Sequence, residues 1–129
     1  MTKDESTHFN HIALYVDNLN ESAKFYTEVI GAKVIPDPFG DDRHLWLKIG
    51  EHNQLHLISG SQRPVPGNMH FAFTTGSVDE FAASLTRRGL QFDDGHGQPN
   101  KIRLRPDGVK QIYFQDPDGY WIEVNDDPY

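Results

Sequence analysis

Three histidines and one glutamate occupy positions from which side chains on neighbouring strands can share a metal ion. His11 and His70 each open an alternating apolar segment, while His56 and Glu123 each lie inside a later one. Neutral imidazole and carboxylate suit Zn, Ni, Co, Fe(II) or Mn(II), and four such ligands leave octahedral positions for water or substrate. A single strand histidine is usually structural, so this interpretation depends on the four positions being equivalent.

The first half of the chain predicts the elements that position His11 and His56. Apolar residues alternate with polar ones in several short segments, which is typical of half-buried strands. Asn18 followed by Glu21 indicates a helix start, and Gly31 ends the helical spacing. The predicted order is strand, helix and three strands, with strands at residues 8–16, 33–35, 44–49 and 54–58.

The second half repeats this pattern, and His70 occupies the slot of His11. Ser77 with Glu80 repeats the helix start, Gly89 ends the helix, and strands are expected at 69–74, 102–104, 112–114 and 121–125. The sequence predicts an α+β fold in one domain, 1–129, with module one at 8–58, a linker at 59–67 and module two at 68–126. Helices should pack on the apolar sheet faces, leaving the candidate ligands on the opposite faces.

Composition narrows the classes of function. The 129 residues carry a net charge of −7, which argues against a general nucleic-acid or anionic-membrane partner. The chain has no cysteine but seven histidines, so thiolate sites and disulfides are excluded. No apolar run is long enough to span a bilayer, and the polar first seven residues do not resemble a signal peptide. We expect a cytoplasmic protein that acts on a small molecule.

The two modules resemble the vicinal oxygen chelate superfamily of glyoxalase I, fosfomycin-resistance proteins, extradiol dioxygenases and bleomycin-resistance proteins. The resemblance rests on the histidine that opens each module and on Asp116-Pro117-Asp118-Gly119 before the strand of Glu123. It implies curled mixed sheets that form a cup, with helices outside and a divalent metal where first and fourth strands meet. Carried over, His11, His56, His70 and Glu123 fall on the ligand positions.

Departures from individual branches limit the choice of reaction. Glyoxalase I has a carboxylate in the slot of His56, and its chemistry needs a carboxylate base. His56 can act as a base only when it is not a metal ligand. The set His11, His70 and Glu123 matches the fosfomycin-resistance and dioxygenase branches, but fosfomycin proteins carry a longer basic segment after the glutamate, and dioxygenases usually have four modules. Lyase, isomerase and dioxygenase activities stay open, with Glu123 and His56 as the candidate catalytic residues.

Three further residues are candidates for substrate binding. Trp46 and Tyr113 occupy matched positions on the polar faces of third strands, where they would wall a pocket or simply pack the cup. Arg103 alternates with apolar neighbours between Lys101 and Arg105, so all three cations should face the cup or its rim. Such a stripe suits a carboxylate or phosphate, or else guards an edge strand from aggregation.

Three classes of function follow from these alternatives. The first is a metal-dependent enzyme that chelates vicinal oxygens of a small oxygen-rich substrate. The second is a metal-free drug- or metabolite-binding protein of the bleomycin-resistance type, and the third is a sensor or metal-binding remnant without turnover. Because a module of fewer than about 60 residues buries too little surface to stand alone, modules must pair. The linker at 59–67 contains Pro64 and Pro66 and favours an extended reach, so we expect a homodimer with shared sites.

Overall fold

The computed structural model describes residues 8–60 and 69–128, and the chain divides into two compact units, Met1–Gln62 and Arg63–Tyr129. The first unit contains β1 (His11–Val16), α1 (Leu19–Phe25), β2 (Lys33–Ile35), β3 (His44–Ile49) and β4 (Asn53–Ser59). The second contains β5 (His70–Thr74), α2 (Val78–Arg87), β6 (Arg103–Leu104), β7 (Lys110–Gln115) and β8 (Trp121–Asn125). The predicted α+β fold of two βαβββ modules is confirmed. Of the predicted linker at 59–67, residues 61–67 lie outside the described residues, so the linker and the module limits stay predictions.

Both helices begin where the capping pattern places them. The side chain of Asn18 accepts a hydrogen bond from the backbone N–H of Glu21, and Ser77 does the same for Glu80. Each cap satisfies one of the backbone donors that a helix start leaves without an intrahelical partner. No helix in residues 8–60 and 69–128 has both the length and the apolar character needed to cross a membrane.

The first helix departs from the regular helix predicted up to Gly31. Residues Tyr26–Ile30 form a wider π-helical turn, and Gly31 closes it in the left-handed conformation at φ 90°. The hydroxyl of Thr27 donates to the carbonyl oxygens of Ala23 and Lys24 at 2.8 and 3.2 Å. These bonds occupy carbonyl oxygens of the preceding turn at the point where the pitch changes.

The two sheets have the same strand order and the same direction of pairing. The orders are β1-β4-β3-β2 and β5-β8-β7-β6, with the first and last strands of each unit parallel and the other pairs antiparallel. The register sets Ala13 opposite His56 in one sheet and Ala72 opposite Glu123 in the other. His11 and His70 stand two residues earlier on the same faces, so the internal repeat extends to the register of the candidate ligands.

Each sheet buries its apolar face against its own helix. Leu47, Leu55 and Leu57 are fully buried in the first unit, where α1 packs on β3 and β4. Ile112 and Ile122 are fully buried in the second, where α2 packs on β7. Because strand side chains alternate, this burial turns the candidate ligands to the opposite, polar face of each sheet.

A tight turn between β7 and β8 fixes the register that brings Glu123 beside Tyr113. Asp116 Oδ1 accepts hydrogen bonds from the backbone N–H groups of Asp118 and Tyr120, each at 2.9 Å. Gly119 adopts φ 89°, a left-handed conformation that glycine takes without steric cost. The turn therefore has a structural role, in agreement with the sequence.

Replacing Gly119 with Val should destabilise the protein by about 1–3 kcal/mol, because a β-branched residue is strained at positive φ. An added Cβ would meet only Gln115 Nε2 at 3.8 Å, so the cost arises from the backbone and not from a clash. Gly119→Asn is the matched control, since Asn tolerates this conformation. In the Val variant, the free energy of unfolding measured in urea and the metal content should both fall. A Val variant as stable as the wild type would contradict the structural role of Gly119.

Candidate functional site

The second unit brings Glu123 and His70 together, as the sequence predicts. Glu123 on β8 is 7% exposed, and its Oε1 lies 3.1 Å from Nε2 of His70 on the adjacent strand β5. Since a carboxylate accepts hydrogen bonds, the ring N–H of His70 donates in this arrangement. The two side chains form a half-buried pair on the polar face of the sheet.

Three more side chains on this face donate hydrogen bonds to the same carboxylate. The Tyr113 hydroxyl donates to Oε1 at 2.9 Å. Gln111 Nε2 and Asn125 Nδ2 donate to Oε2 at 3.1 and 2.6 Å. Both oxygens of Glu123 are therefore fixed in direction by neutral donors, which preorganises the carboxylate without neutralising its charge.

These contacts also set the protonation states of the pair. Burial alone would raise the pKa of Glu123, but hydrogen bonds from Asn125, Tyr113 and Gln111, with His70 nearby, hold its pKa below the ordinary value. Burial, together with the hydrogen bond to Glu123, raises the pKa of Tyr113 to about 12. At neutral pH the glutamate is therefore an anion and the tyrosine a protonated donor.

The first unit brings together His11 and His56 in the equivalent positions. Their rings are stacked with centroids 4.1 Å apart. The indole of Trp46 covers the ring of His56 at 3.9 Å, nearly parallel to it. Trp46, predicted to bind substrate, is therefore in direct contact with a candidate ligand.

Side-chain amide oxygens stand at one nitrogen of each ring in this unit. Asn10 Oδ1 lies 2.6 Å from His11 Nδ1, and Gln54 Oε1 lies 2.8 Å from His56 Nε2. These oxygens accept, so the opposite nitrogen of each ring carries the lone pair that a metal requires. Burial of His56 lowers its pKa, and the nearby His11 adds to this effect, which favours the neutral form at neutral pH.

The donor atoms fit a divalent transition metal. Zinc–nitrogen and zinc–oxygen bonds of about 2.0–2.2 Å place two adjacent ligand atoms roughly 3.0–3.4 Å apart. The 3.1 Å between His70 Nε2 and Glu123 Oε1 lies in this range, so a cation bound by both atoms would replace the His70 proton of this hydrogen bond. Among the described residues, the hydrogen-bond partners of Glu123 are a histidine, a tyrosine and two amides, so no lysine or arginine contacts the carboxylate directly. His70 and Glu123 therefore form a pair whose spacing suits a metal, while His11 and His56 provide two neighbouring imidazole rings in the other unit.

A second group of ligand-type residues lies in the first unit between β2 and β3. Asp37, Asp41 and His44 each place one ligand atom within 4.8 Å of the others. His44 Nδ1 stands 2.8 Å from Asp41 Oδ1, and this hydrogen bond lowers the pKa of the Asp41 carboxyl. The sequence places His44 at a rim, where its ring is hydrogen-bonded to Asp41.

The predicted stripe of three cations is reduced to two by the structure. Strand β6 contains only Arg103–Leu104, and Lys101 lies before it, 62% exposed and 3.8 Å from Asp94. The expectation that Lys101 faces the cup with its neighbours is therefore not supported, because the strand that would align it does not extend that far. Arg105 forms ion pairs with Asp107 and Asp127.

Arg103 keeps the position that the sequence predicts for it. It pairs across the sheet with Gln111, which places it on the face of Glu123 and Tyr113. Within residues 8–60 and 69–128 its side chain makes no hydrogen bond or ion pair, and its charge acts on the phenol of Tyr113. A half-buried guanidinium with this freedom is suited to an anionic group.

Sequence reasoning did not single out the polar residues that surround the candidate ligands. Gln111 and Asn125 hold Glu123, while Asn10 and Gln54 hold the histidines of the first unit. For Gln111, Asn125 and Gln54 the signal is simple alternation, because residues two positions apart on a strand share a face, whereas Asn10 directly precedes His11. Gln111 is two residues from Tyr113, and Asn125 is two residues from Glu123.

Comparison with known proteins agrees with this architecture. Lactoylglutathione lyase of Schizosaccharomyces pombe is 30% identical over 95% of this chain, which spans 49% of that protein's length. Metallothiol transferase FosB of Staphylococcus epidermidis is 28% identical over 94% of this chain and 82% of its own. The solved structure of oxidase ChaP-H1 superposes with a TM-score of 0.78 at 29% identity, covering 96% of this chain and 98% of that one.

A family profile also matches almost the whole chain. The profile of the Glyoxalase/Bleomycin resistance protein/Dioxygenase superfamily matches residues 8–124, which include both units and all four candidate ligands. The duplicated register and the paired ligand positions described above account for the match in structural terms. The chain belongs to the Glyoxalase/Bleomycin resistance protein/Dioxygenase superfamily.

Proposed function

We propose that this protein is a metal-dependent enzyme that acts on a small oxygen-rich substrate. The observation that carries the proposal is the Glu123 carboxylate, which is buried, kept anionic and oriented by four donors. Burying a charge in this way is costly unless the charge has a partner. A divalent cation is the partner that this donor set suits.

His11, His56, His70 and Glu123 would together hold the cation. The two pairs contribute three imidazole nitrogens and one carboxylate oxygen, a set suited to Zn, Ni, Co, Fe(II) or Mn(II). The hydrogen bonds of Asn10 and Gln54 select the tautomers of two ligands, while Gln111 and Asn125 orient the fourth. His56 acts in this proposal as a ligand, and its alternative role as a general base is excluded while it does so.

The remaining residues would bind and orient the substrate. A bound divalent cation supplies Lewis-acid stabilisation of negative charge on the substrate's vicinal oxygens. Arg103 would contact a carboxylate or phosphate of the substrate, and Trp46 would provide an apolar wall. Tyr113 keeps its proton at neutral pH and donates it as a hydrogen bond, so it stabilises an anion and does not act as a base.

Metal analysis tests this proposal most directly. Protein purified from metal-replete medium should contain stoichiometric divalent metal, measured by elemental analysis, and should rebind it after chelation. Loss of rebinding in His70→Ala, with retention in His52→Ala, would support the assignment, since His52 is 87% exposed in a turn. Full rebinding by single variants of all four candidate ligands would refute it.

A metal-free binding protein is the second candidate, and one observation favours it. Phe39, Trp46, His56 and His11 form a continuous series of ring contacts in the first unit. Such a surface suits a planar drug or metabolite without any metal. Tight binding of aromatic compounds by protein that elemental analysis shows to be metal-free would select this alternative.

We further propose that the protein works as a homodimer. Each unit carries one pair of candidate ligands, and neither pair alone supplies the set of four. We propose that His11 and His56 of one protomer share a metal with His70 and Glu123 of the other. The extended reach that the two linker prolines favour supports this arrangement.

A further inference from the structure

The ring of Tyr113 has two close neighbours in the second unit. One is the ring of His70, with centroids 5.4 Å apart in an edge-on arrangement. The other is Gly95, in the loop between α2 and β6. The hydroxyl at the end of this ring is the one that donates to Glu123 at 2.9 Å.

Gly95 lies closer to the ring than any other residue type would allow. A Cβ built at this position would stand 2.6 and 2.8 Å from Tyr113 Cε2 and Cδ2, well inside van der Waals contact. Gly95 also adopts φ 84°, which most side chains disfavour. Both the contact and the backbone conformation therefore require glycine.

The loop that presents Gly95 is tied to Tyr113 through the backbone. Asp93 and Tyr113 exchange two backbone hydrogen bonds, at 2.9 and 3.0 Å. The Asp93 side chain accepts from the N–H of Gly95 at 2.7 Å. Asp94 accepts from the N–H groups of His96 and Gln98. Because these bonds fix the loop, a larger residue at position 95 would displace the ring before it displaced the loop.

We infer that Gly95 is a positioning residue that aims the Tyr113 hydroxyl at Glu123. Its close approach to the Cδ2–Cε2 edge of the ring, together with the neighbouring His70 ring, restricts the positions that the hydroxyl can take. The inference rests on the proposed function in one respect, since it assigns Glu123 to the metal. Its consequence is that Gly95 influences metal affinity while contacting neither the metal nor any ligand.

Gly97 provides a matched control two residues away. It adopts the same φ of 84°, but a Cβ there would meet nothing within 4 Å. Gly97→Ala therefore introduces the backbone strain without the contact, whereas Gly95→Ala introduces both. Any difference between the two variants reports the contact with Tyr113.

The first measurement is the dissociation constant for Zn²⁺, determined by chelator competition. Gly95→Ala should weaken binding about tenfold, the scale of losing a partner of a ligand, while Gly97→Ala stays within about twofold of wild type. Tyr113→Phe should match Gly95→Ala, and the double variant should be no weaker than Tyr113→Phe alone. Equal weakening in both glycine variants, or additive losses in the double variant, would overturn the inference.

The second measurement does not depend on metal. With ¹³C-labelled tyrosine, the Cζ resonance of Tyr113 should move in Gly95→Ala and stay in place in Gly97→Ala. If the wild-type protein binds no Zn²⁺, the proposed function fails, and this resonance alone decides whether Gly95 positions the ring. An unmoved resonance in Gly95→Ala would overturn the inference.

A third variant pair covers the case in which Gly95→Ala does not fold. Gly95→Ala in a Tyr113→Ala background removes the ring that the new Cβ would meet. In that background, Gly95→Ala should lower the denaturation midpoint only by the amount that Gly97→Ala lowers it in the wild-type protein. A much larger fall would show that the contact with Tyr113 is not what requires glycine.

Discussion

Glu123→Gln should weaken the binding of a divalent cation by at least tenfold. The substitution keeps the size of the side chain but removes the negative charge and one acceptor oxygen. Gln111 and Asn125 both donate to Oε2 in the wild type, so an amide there leaves a buried donor unsatisfied. We also expect a loss of about 1–3 kcal/mol in the free energy of unfolding.

Chelator competition measures the affinity, and urea unfolding measures the stability. Glu51→Gln is the control, because Glu51 has the same charge but a side chain that is 88% exposed in a turn. It should bind metal like the wild type. Tight stoichiometric metal in a folded Glu123→Gln variant would remove Glu123 from the ligand set and with it the main support for the proposed function.

Mixing two variants that each lack a metal ligand should restore one metal site per dimer. A His11→Ala chain lacks a ligand from the first unit, and a Glu123→Ala chain lacks one from the second. If each site combines a pair from one protomer with a pair from the other, a mixed dimer has one complete site and one that lacks both ligands. We expect metal binding to approach half of the wild-type stoichiometry in the isolated heterodimer.

The experiment requires subunit exchange, which differently tagged chains and tandem affinity purification can establish. Mixing His11→Ala with His56→Ala is the control, because both changes fall in the same unit and leave no complete shared site. Heterodimers of the first mixture that bind no metal would show that each site lies within a single chain. A chain that stays monomeric would refute the homodimer itself.

Much of the fold was predictable because alternation and helix caps act locally. The polar faces that carry His11, His56, His70 and Glu123 follow from a two-residue period, and the register confirmed which residues share them. The two helix starts at Asn18 and Ser77 were predictable for the same reason.

Three features of the structure were not predicted, because they depend on more than the local pattern of apolar and polar residues. The π-helical turn at Tyr26–Ile30 changes the pitch within the first helix, and helical spacing in the sequence does not reveal this change. The shortness of β6 removed Lys101 from its expected face. The contact of Gly95 with Tyr113 joins a loop to a strand, and no pattern within either segment predicts it.

The parallel pairing of the first and last strands of each unit has a consequence for the order in which the strands pair during folding. His11 and His56 are brought together by pairing β1 with β4, and His70 and Glu123 by pairing β5 with β8, about forty to fifty residues apart in sequence. The antiparallel neighbours β3 and β4, or β7 and β8, close much shorter loops and lose less chain entropy. The hairpins should therefore form early, and each ligand pair only when the most distant strand docks. An ion that binds only the assembled ligand pairs would stabilise the docked state of the most distant strand.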